Sequence, residues 1–289
     1  MTSEALEFTG ERFTPECVRE MRYEHWHRYA FAQALSGGRR VLDAACGEGY
    51  GSAMLAATAA SVTGVDIDDE AVAHARQRYR SGNLSFQQGD CTDPSGLPDG
   101  PFDLIVSFET LEHVHEQSRM LAAFAERLDD DGILLVSSPD RLNYSDRRNY
   151  RNEFHVRELY RDEFESLLGE HLPASRLYAQ KLAFQSLLWS VDGRSDRYAA
   201  SVLGENGESL TTTLDYPPMY YVAACARHPA VLDALPALSL FGDLEESVYR
   251  HYEHEIRKNM SAGVRIQELE QALADAERRI VELLRNKAE

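Results

Sequence analysis

Short apolar runs alternate with longer amphipathic stretches through residues 38–138 of this chain. Arg40–Ala45, Ser61–Val65, Leu84–Gln88, Phe102–Phe108 and the run ILLVSS at 133–138 read as strands. Tyr50–Ala59, Glu70–Arg80 and Ser118–Leu128 carry the helical period between them. Strand and helix alternating at this spacing predict an α/β fold whose parallel sheet is covered on both faces. A helix precedes the first strand, from Pro15 to about Leu35, and Gly37-Gly38 stops it. Beyond Pro139 the pattern changes. Residues 140–152, DRLNYSDRRNYRN, predict a long polar, basic and aromatic loop, and Arg161–Leu168 a further helix. Strands are predicted at 177–188 and 220–226, with a Gly-, Ser- and Thr-rich insertion at about 190–217 between them.

Three parts follow: an N-terminal helical lid at 1–37, an α/β domain at 38–235 and a charged helical extension at 236–289. In the extension Ile266, Leu269, Leu273, Ala276, Ile280 and Leu283 step by alternating threes and fours, a heptad seam over about 264–286. A helix folded back on the domain would also place these residues in line. The narrow seam with Glu, Arg, Gln and Asp flanks favours a coiled coil and a homo-oligomer. The seam is still running at the last residues, which fits a downstream fused domain.

Composition narrows the function. The chain has 289 residues and a formal net charge of −18, which repels phosphate backbones and disfavours nucleic acid as a partner. It contains no apolar run of transmembrane length, and the opening MTSEALEFTGERF has neither the basic nor the apolar region of a signal peptide. Cys17, Cys46, Cys91 and Cys225 are widely spaced without zinc-ligand spacing, so reduced thiols and a cytoplasmic setting are expected.

The chemistry concentrates at VLDAACGEGYGS, residues 41–52, a glycine loop that leaves a strand and opens a helix. Gly47, Gly49 and Gly51, with Ala45 beside them, allow backbone to approach a ligand closely. Dinucleotides use similar loops. Here, however, Asp43 ends the strand and Glu48 sits inside the loop, and carboxylates there oppose a pyrophosphate. They suit S-adenosylmethionine, which carries an ammonium and a sulfonium and no phosphate. Asp43 is then expected to hold the amino group, directly or through water. Asp66, at the end of the second strand with Ile67 next to it, is expected to take the ribose hydroxyls. Asp90 and the Cys91 N–H are expected at the adenine, and Phe108 beside the cofactor. Each acid, taken singly, could equally be a helix N-cap.

The order DAACGEGYG, GVDID, QQGDC and FDLIVSFETLEHV resembles the class I S-adenosylmethionine-dependent methyltransferases over roughly residues 38–138. That resemblance implies a Rossmann-like seven-stranded sheet whose last strand is antiparallel, supplied here by the two late strands. The opening TGERFTPE and the run YEHWHRYAFAQAL resemble a bacterial subgroup found with polysaccharide-assembly enzymes, some of them fused to further domains. The first helix then lids the cofactor, and Arg28, an i,i+4 neighbour of Glu24, is the expected partner of the methionine carboxylate. An ordinary surface ion pair with Glu24 is the alternative.

Methyl transfer to a hydroxyl needs a base at the rim of the fourth strand. His113 is the candidate, with Glu112 to orient it and His155 returning over the same rim. The ExxEH cluster also resembles the metal site of some magnesium-dependent O-methyltransferases, so Glu109, Glu112, His113 and His155 are candidate ligands of Mg²⁺. In related enzymes the same dipeptide serves without metal. Arg141, Arg147, Arg148 and Arg151, with Tyr144 and Tyr150, predict either a solvated loop or a clamp for an anionic or sugar acceptor. Trp189, Tyr216, Tyr220 and Tyr221 are expected in the same cleft. The resulting expectation is O-methylation of a sugar hydroxyl in a cell-surface glycan or its precursor, near glycan-assembly enzymes. The alternatives are O- or N-methylation of a small natural product and a cofactor-binding assembly scaffold.

Overall fold

The computed structural model describes residues 20–188, 190–191, 198–203 and 209–286. The segment TGERFTPE, the first residues of the expected opening helix and Trp189 lie outside the described residues. Two compact units divide at Phe241 and Gly242.

The first unit is built on one seven-stranded sheet. Its strands are β1 Arg40–Ala44, β2 Ser61–Asp66, β3 Leu84–Gln88, β4 Phe102–Ser107, β5 Leu128–Pro139, β6 Ala174–Gln180 and β7 Tyr220–Ala226. In space they run β3-β2-β1-β4-β5-β7-β6. The first five are parallel, and β7 is antiparallel to both β5 and β6. Val41, Leu42, Leu104, Ile105, Val106, Leu134 and Leu135 are buried at the centre, as strands covered on both faces require. The covering helices are α1 Glu20–Leu35, α2 Tyr50–Ala56, α3 Asp69–Arg78, α4 Gln117–Arg127 and α5 Arg161–Gly169. Strand order reverses between β1 and β4, and the carboxyl ends at such a reversal are where open α/β sheets bind ligands.

Two boundaries differ from the sequence reading. The strand expected at 177–188 is found at Ala174–Gln180. Among the described residues its partner is β7, whose first residue Tyr220 pairs with Gln180, and no ladder is described for the apolar run that follows. Phe184, Leu187 and Leu188 are accordingly exposed. The loop after β5 contains a π-turn at Leu142–Asp146, a local conformation often met at functional sites.

The expected lid is not a loose cover. α1 buries Tyr29 and Ala32 in the core cluster that also holds Val41, Tyr50, Leu55 and Phe108. The second unit is a continuous helix, α6 Ser247–Asn286, on which Ile266, Leu269, Leu273, Ile280 and Leu283 are exposed. Among the described residues no helix is long and apolar enough to cross a membrane.

Candidate cofactor and catalytic site

The loop between β1 and α2 turns through left-handed backbone at Ala45 (φ 61°), Gly47 (φ 55°) and Gly49 (φ 88°). Three such residues in five positions fold the chain back under the strand ends, and only glycine adopts this conformation freely. The glycines also serve packing. A Cβ at Gly49 would meet the Phe86 ring, and one at Gly51 would meet the Tyr29 ring at about 2 Å. These two positions therefore also admit neighbouring aromatic rings.

Asp43 has no exposed surface. Its carboxylate accepts from Ser52 Oγ at 2.6 Å and Tyr29 Oη at 3.1 Å. Burial pushes its pKa up to about 7 against the opposing pull of the Ser52 and Tyr29 hydroxyls, and the Asp66 charge adds to the rise. With half of its roughly four acceptor positions used and none exposed, Asp43 stands behind the loop rather than at its mouth. Glu48 departs further from expectation. It is fully buried and turned to α3, where Arg78 Nη1 lies at 3.2 Å, His74 Nε2 at 3.1 Å and Tyr79 Oη at 3.1 Å. Its charge ties the loop to α3 and is already neutralised.

Asp66 ends β2 and is not a helix cap. Its Oδ2 accepts from the Gly47 N–H at 2.7 Å and its Oδ1 from the Asp68 N–H at 3.0 Å, while Asp68 is the residue that caps α3. Ile67 beside it is 65% exposed. Asp90 accepts from the Thr92 N–H and hydroxyl through one oxygen, and Cys91 is buried, its thiol pushed up to about 12 chiefly by that burial. Phe108 meets Tyr29 edge-on at 5.2 Å.

Arg28 is 2% exposed, which rules out a surface ion pair with Glu24. Its Nε donates to Gln180 Oε1 at 2.8 Å, and its guanidinium lies 4.5 Å from the centre of the Tyr220 ring. Nη2 is 3.4 Å from Glu109 Oε1, within ion-pair distance, yet among the described residues neither Nη1 nor Nη2 has a hydrogen-bond partner. Burial opposes the charge of Arg28, but Glu109, Tyr220, Glu24 and Tyr50 outweigh it and raise the pKa. A buried cation with two unsatisfied nitrogens is costly unless an anionic ligand completes it. A carboxylate fits that role.

At the end of β4, Glu109 adopts φ 52° and points to Ser137, whose Oγ donates at 2.6 Å. His113 Nδ1 donates to the Phe154 carbonyl at 3.0 Å, which leaves the acceptor lone pair on Nε2. Glu112 does not orient it, being 4.0 Å from Nε2 and outside hydrogen-bond range. Both Glu112 oxygens are buried without a hydrogen-bond partner, and burial, then Glu109, pushes the carboxyl well above its ordinary range. His155 is held at both ring nitrogens, Nδ1 by Glu158 at 2.6 Å and Nε2 by Asn152 at 2.9 Å. It meets the His113 ring edge-on at 5.0 Å. One ligand atom each of Glu112, His113 and His155 lies within 4.8 Å of the others, whereas Glu109 is not among them.

Sequence reasoning passed over Ser52, Gln180, Ser137 and Asn152. Each is a second polar residue that fixes a first, and its role depends on a partner distant from it or outside the pattern it sits in. Tyr216, exposed only in part, faces a cavity of about 290 Å³ with Tyr23, His27 and Leu240. Tyr220 reaches Arg28, and Tyr221 pairs across the ladder with Ser138.

Residues 42–136 match the family model described as a methyltransferase domain. The chain is 38% identical over 166 residues to a probable S-adenosylmethionine-dependent methyltransferase of Mycobacterium tuberculosis, covering 56% of this chain and 60% of that one. It is 30% identical over 116 residues to the ubiquinone biosynthesis O-methyltransferase of Thiobacillus denitrificans, covering 39% and 50%. The chain thus spans less than two thirds of these relatives. Among solved structures, it is similar to the YcgJ protein of Bacillus subtilis, with a TM-score of 0.49 and 19% identity over 71% of this chain and all of that one.

Proposed function

We propose that this chain, whose residues 42–136 match a methyltransferase-domain family model, is a class I S-adenosylmethionine-dependent methyltransferase and methylates a hydroxyl of a small-molecule acceptor. The observation that carries the reading is the buried Arg28 guanidinium, left incomplete on its Nη1 and Nη2 side, on the same helix as Tyr29, whose hydroxyl donates to Asp43 behind the left-handed loop. When bound, the cofactor supplies an electrophilic methyl on a sulfonium. Arg28 holds its carboxylate, Asp43 sets a negative field behind the loop, and Asp66 accepts from its ribose through the lone pairs left beside Gly47 and Asp68. Ile67, Asp90, Cys91 and Phe108 surround its base and thioether end.

His113 is the base in this reading, taking the acceptor proton on Nε2. Transfer to oxygen is supported by that imidazole and by the names of two relatives, the ubiquinone and fatty-acid O-methyltransferases. A sugar hydroxyl of a cell-surface glycan or its precursor is the acceptor we favour, on the resemblance of the opening segments. The first test is calorimetry. S-adenosylhomocysteine binds and NAD does not, and Asp66→Ala weakens the binding by about 1.5–3 kcal/mol, the worth of a charged hydrogen bond. Tight NAD binding or an indifferent Asp66→Ala would defeat the assignment.

A divalent cation is a second reading, favoured by the two unpartnered Glu112 oxygens next to two imidazoles. Glu112 and His113 would hold it, with His155 joining by giving up one of its two hydrogen bonds, and it would lower the pKa of a bound hydroxyl. Two nitrogens and one carboxylate suit a borderline metal better than the all-oxygen shell of Mg²⁺.

We also propose that α6 pairs two copies in parallel. With Ile266 and Leu273 at a and Leu269 at d, Arg265 falls at g and Glu270 at e. A parallel pair sets Arg265 against the partner subunit's Glu270, whereas an antiparallel pair sets like charges together. Light scattering at tens of micromolar tests this. The full chain is a dimer, and truncation after Ser261 leaves a monomer that still binds S-adenosylhomocysteine. A monomeric full chain would refute the pairing.

A further inference from the structure

The loop after β5 is a built structure around two unpaired arginines. Its base is buried: the Asn143 side chain donates to Asp140, and Arg147 Nη1 donates to Asn143 Oδ1 at 2.8 Å. Backbone bonds from Arg147 to Leu142, Asn149 to Asp146 and Tyr150 to Ser145 close the π-turn, so the following residues are held in place. Asp146 is occupied by the Tyr160 hydroxyl at 2.7 Å and by Arg141 at 3.8 Å. Arg148 is different. Its guanidinium lies over two rings, 5.3 Å from the centre of Tyr150 and 5.8 Å from that of Tyr144, and the residue is exposed. Among the described residues neither Arg148 nor the exposed Arg151 makes an ion pair with a carboxylate.

Tyr144 connects this cation to the chemistry. Its ring stacks on His155 at 5.4 Å with 25° between planes, and His155 touches His113. Tyr144 also meets Tyr220, which carries Arg28. Arg148 therefore sits two ring contacts from the histidine pair, on the open side of the rim. In a chain of net charge −18, an exposed and unneutralised guanidinium braced by two aromatic faces is a local reversal of sign. A guanidinium lying over aromatic rings, with no carboxylate paired to it, suits phosphate or carboxylate.

We propose that Arg148, braced by Tyr144 and Tyr150, binds an anionic group carried by the acceptor, a phosphate or a carboxylate, and so places the acceptor hydroxyl beside His113. This rests on the methyltransferase reading of the rim. The test is binding to full-length protein saturated with S-adenosylhomocysteine, using glucose 1-phosphate, glucuronate and neutral methyl α-glucoside as probes. At least one charged probe binds about tenfold or more tighter than the glucoside, a gap equal to one charged hydrogen bond. Arg148→Ala erases the gap and Arg148→Lys keeps part of it, with S-adenosylhomocysteine affinity unchanged in both. The two charged probes tell phosphate from carboxylate. If no charged probe outbinds the glucoside, or if Arg148→Ala leaves the gap intact, the proposal is overturned. Loss of S-adenosylhomocysteine binding in the unaltered chain would instead strike at the methyltransferase reading itself.

Discussion

His113→Ala lowers turnover by about 10²–10⁴-fold and leaves S-adenosylhomocysteine affinity within about twofold. The separation follows from position. His113 sits past the end of β4 with its Nδ1 proton fixed by the Phe154 carbonyl, whereas the polar groups assigned to the cofactor come from α1, the β1 loop and the ends of β2 and β3. A base acts on the transition state, so its loss appears in kcat and not in cofactor binding. Asparagine substitution at Glu158 or alanine at Asn152 acts only through His155 and should cost less. The cation reading makes a separate demand on the same experiment: EDTA abolishes activity, a divalent ion restores it, and His113→Ala also weakens binding of that ion measured without acceptor. Full activity in His113→Ala removes the residue from the mechanism under either reading.

What the sequence made legible was whatever repeats locally. Parallel strands buried on both faces read as dense apolar runs, so β1, β2, β4 and β7 stand close to where periodicity put them. The loop with Asp43 and Asp66 was legible because left-handed backbone and strand-end acids leave a residue-type signature. β6 was misplaced because its end is set by the length of its partner, a fact of the ladder and not of its own residues. Glu48 was misread for a similar reason. Inside the loop it looks like a ligand group, and only the approach of α3 with Arg78, His74 and Tyr79 turns it inward. Arg28 shows the converse. Its identity was visible, but its dependence on Gln180, 152 positions away in sequence, is created by the fold.

Asp43 makes the unliganded protein less stable as pH rises from about 4 to 7, and cofactor affinity rises over the upper part of the same range. The sign follows from the direction of the shift. Burial holds the Asp43 carboxyl at about 7 in the folded chain, against the ordinary 3.8. Between these values the folded state keeps a proton that the unfolded state has released, so stability falls with increasing pH and the full penalty is present above 7. Its ceiling is on the order of 4 kcal/mol, one tenfold factor for each pH step between the two values. Glu112, raised chiefly by its own burial, acts in the same direction. Asp43→Asn isolates the share that belongs to Asp43: its unfolding free energy should vary less between pH 5 and pH 8, even if Asn fits the Ser52 and Tyr29 hydroxyls less well. Binding shows the other half of the linkage. The ammonium of the ligand favours ionised Asp43, so S-adenosylhomocysteine binding below pH 7 releases a proton, and its affinity climbs toward pH 8. Calorimetry in buffers of different ionisation enthalpy counts that proton directly. Denaturation and binding curves that are flat across this range in the unaltered chain, or that keep their slope in Asp43→Asn, would place the titrating group elsewhere.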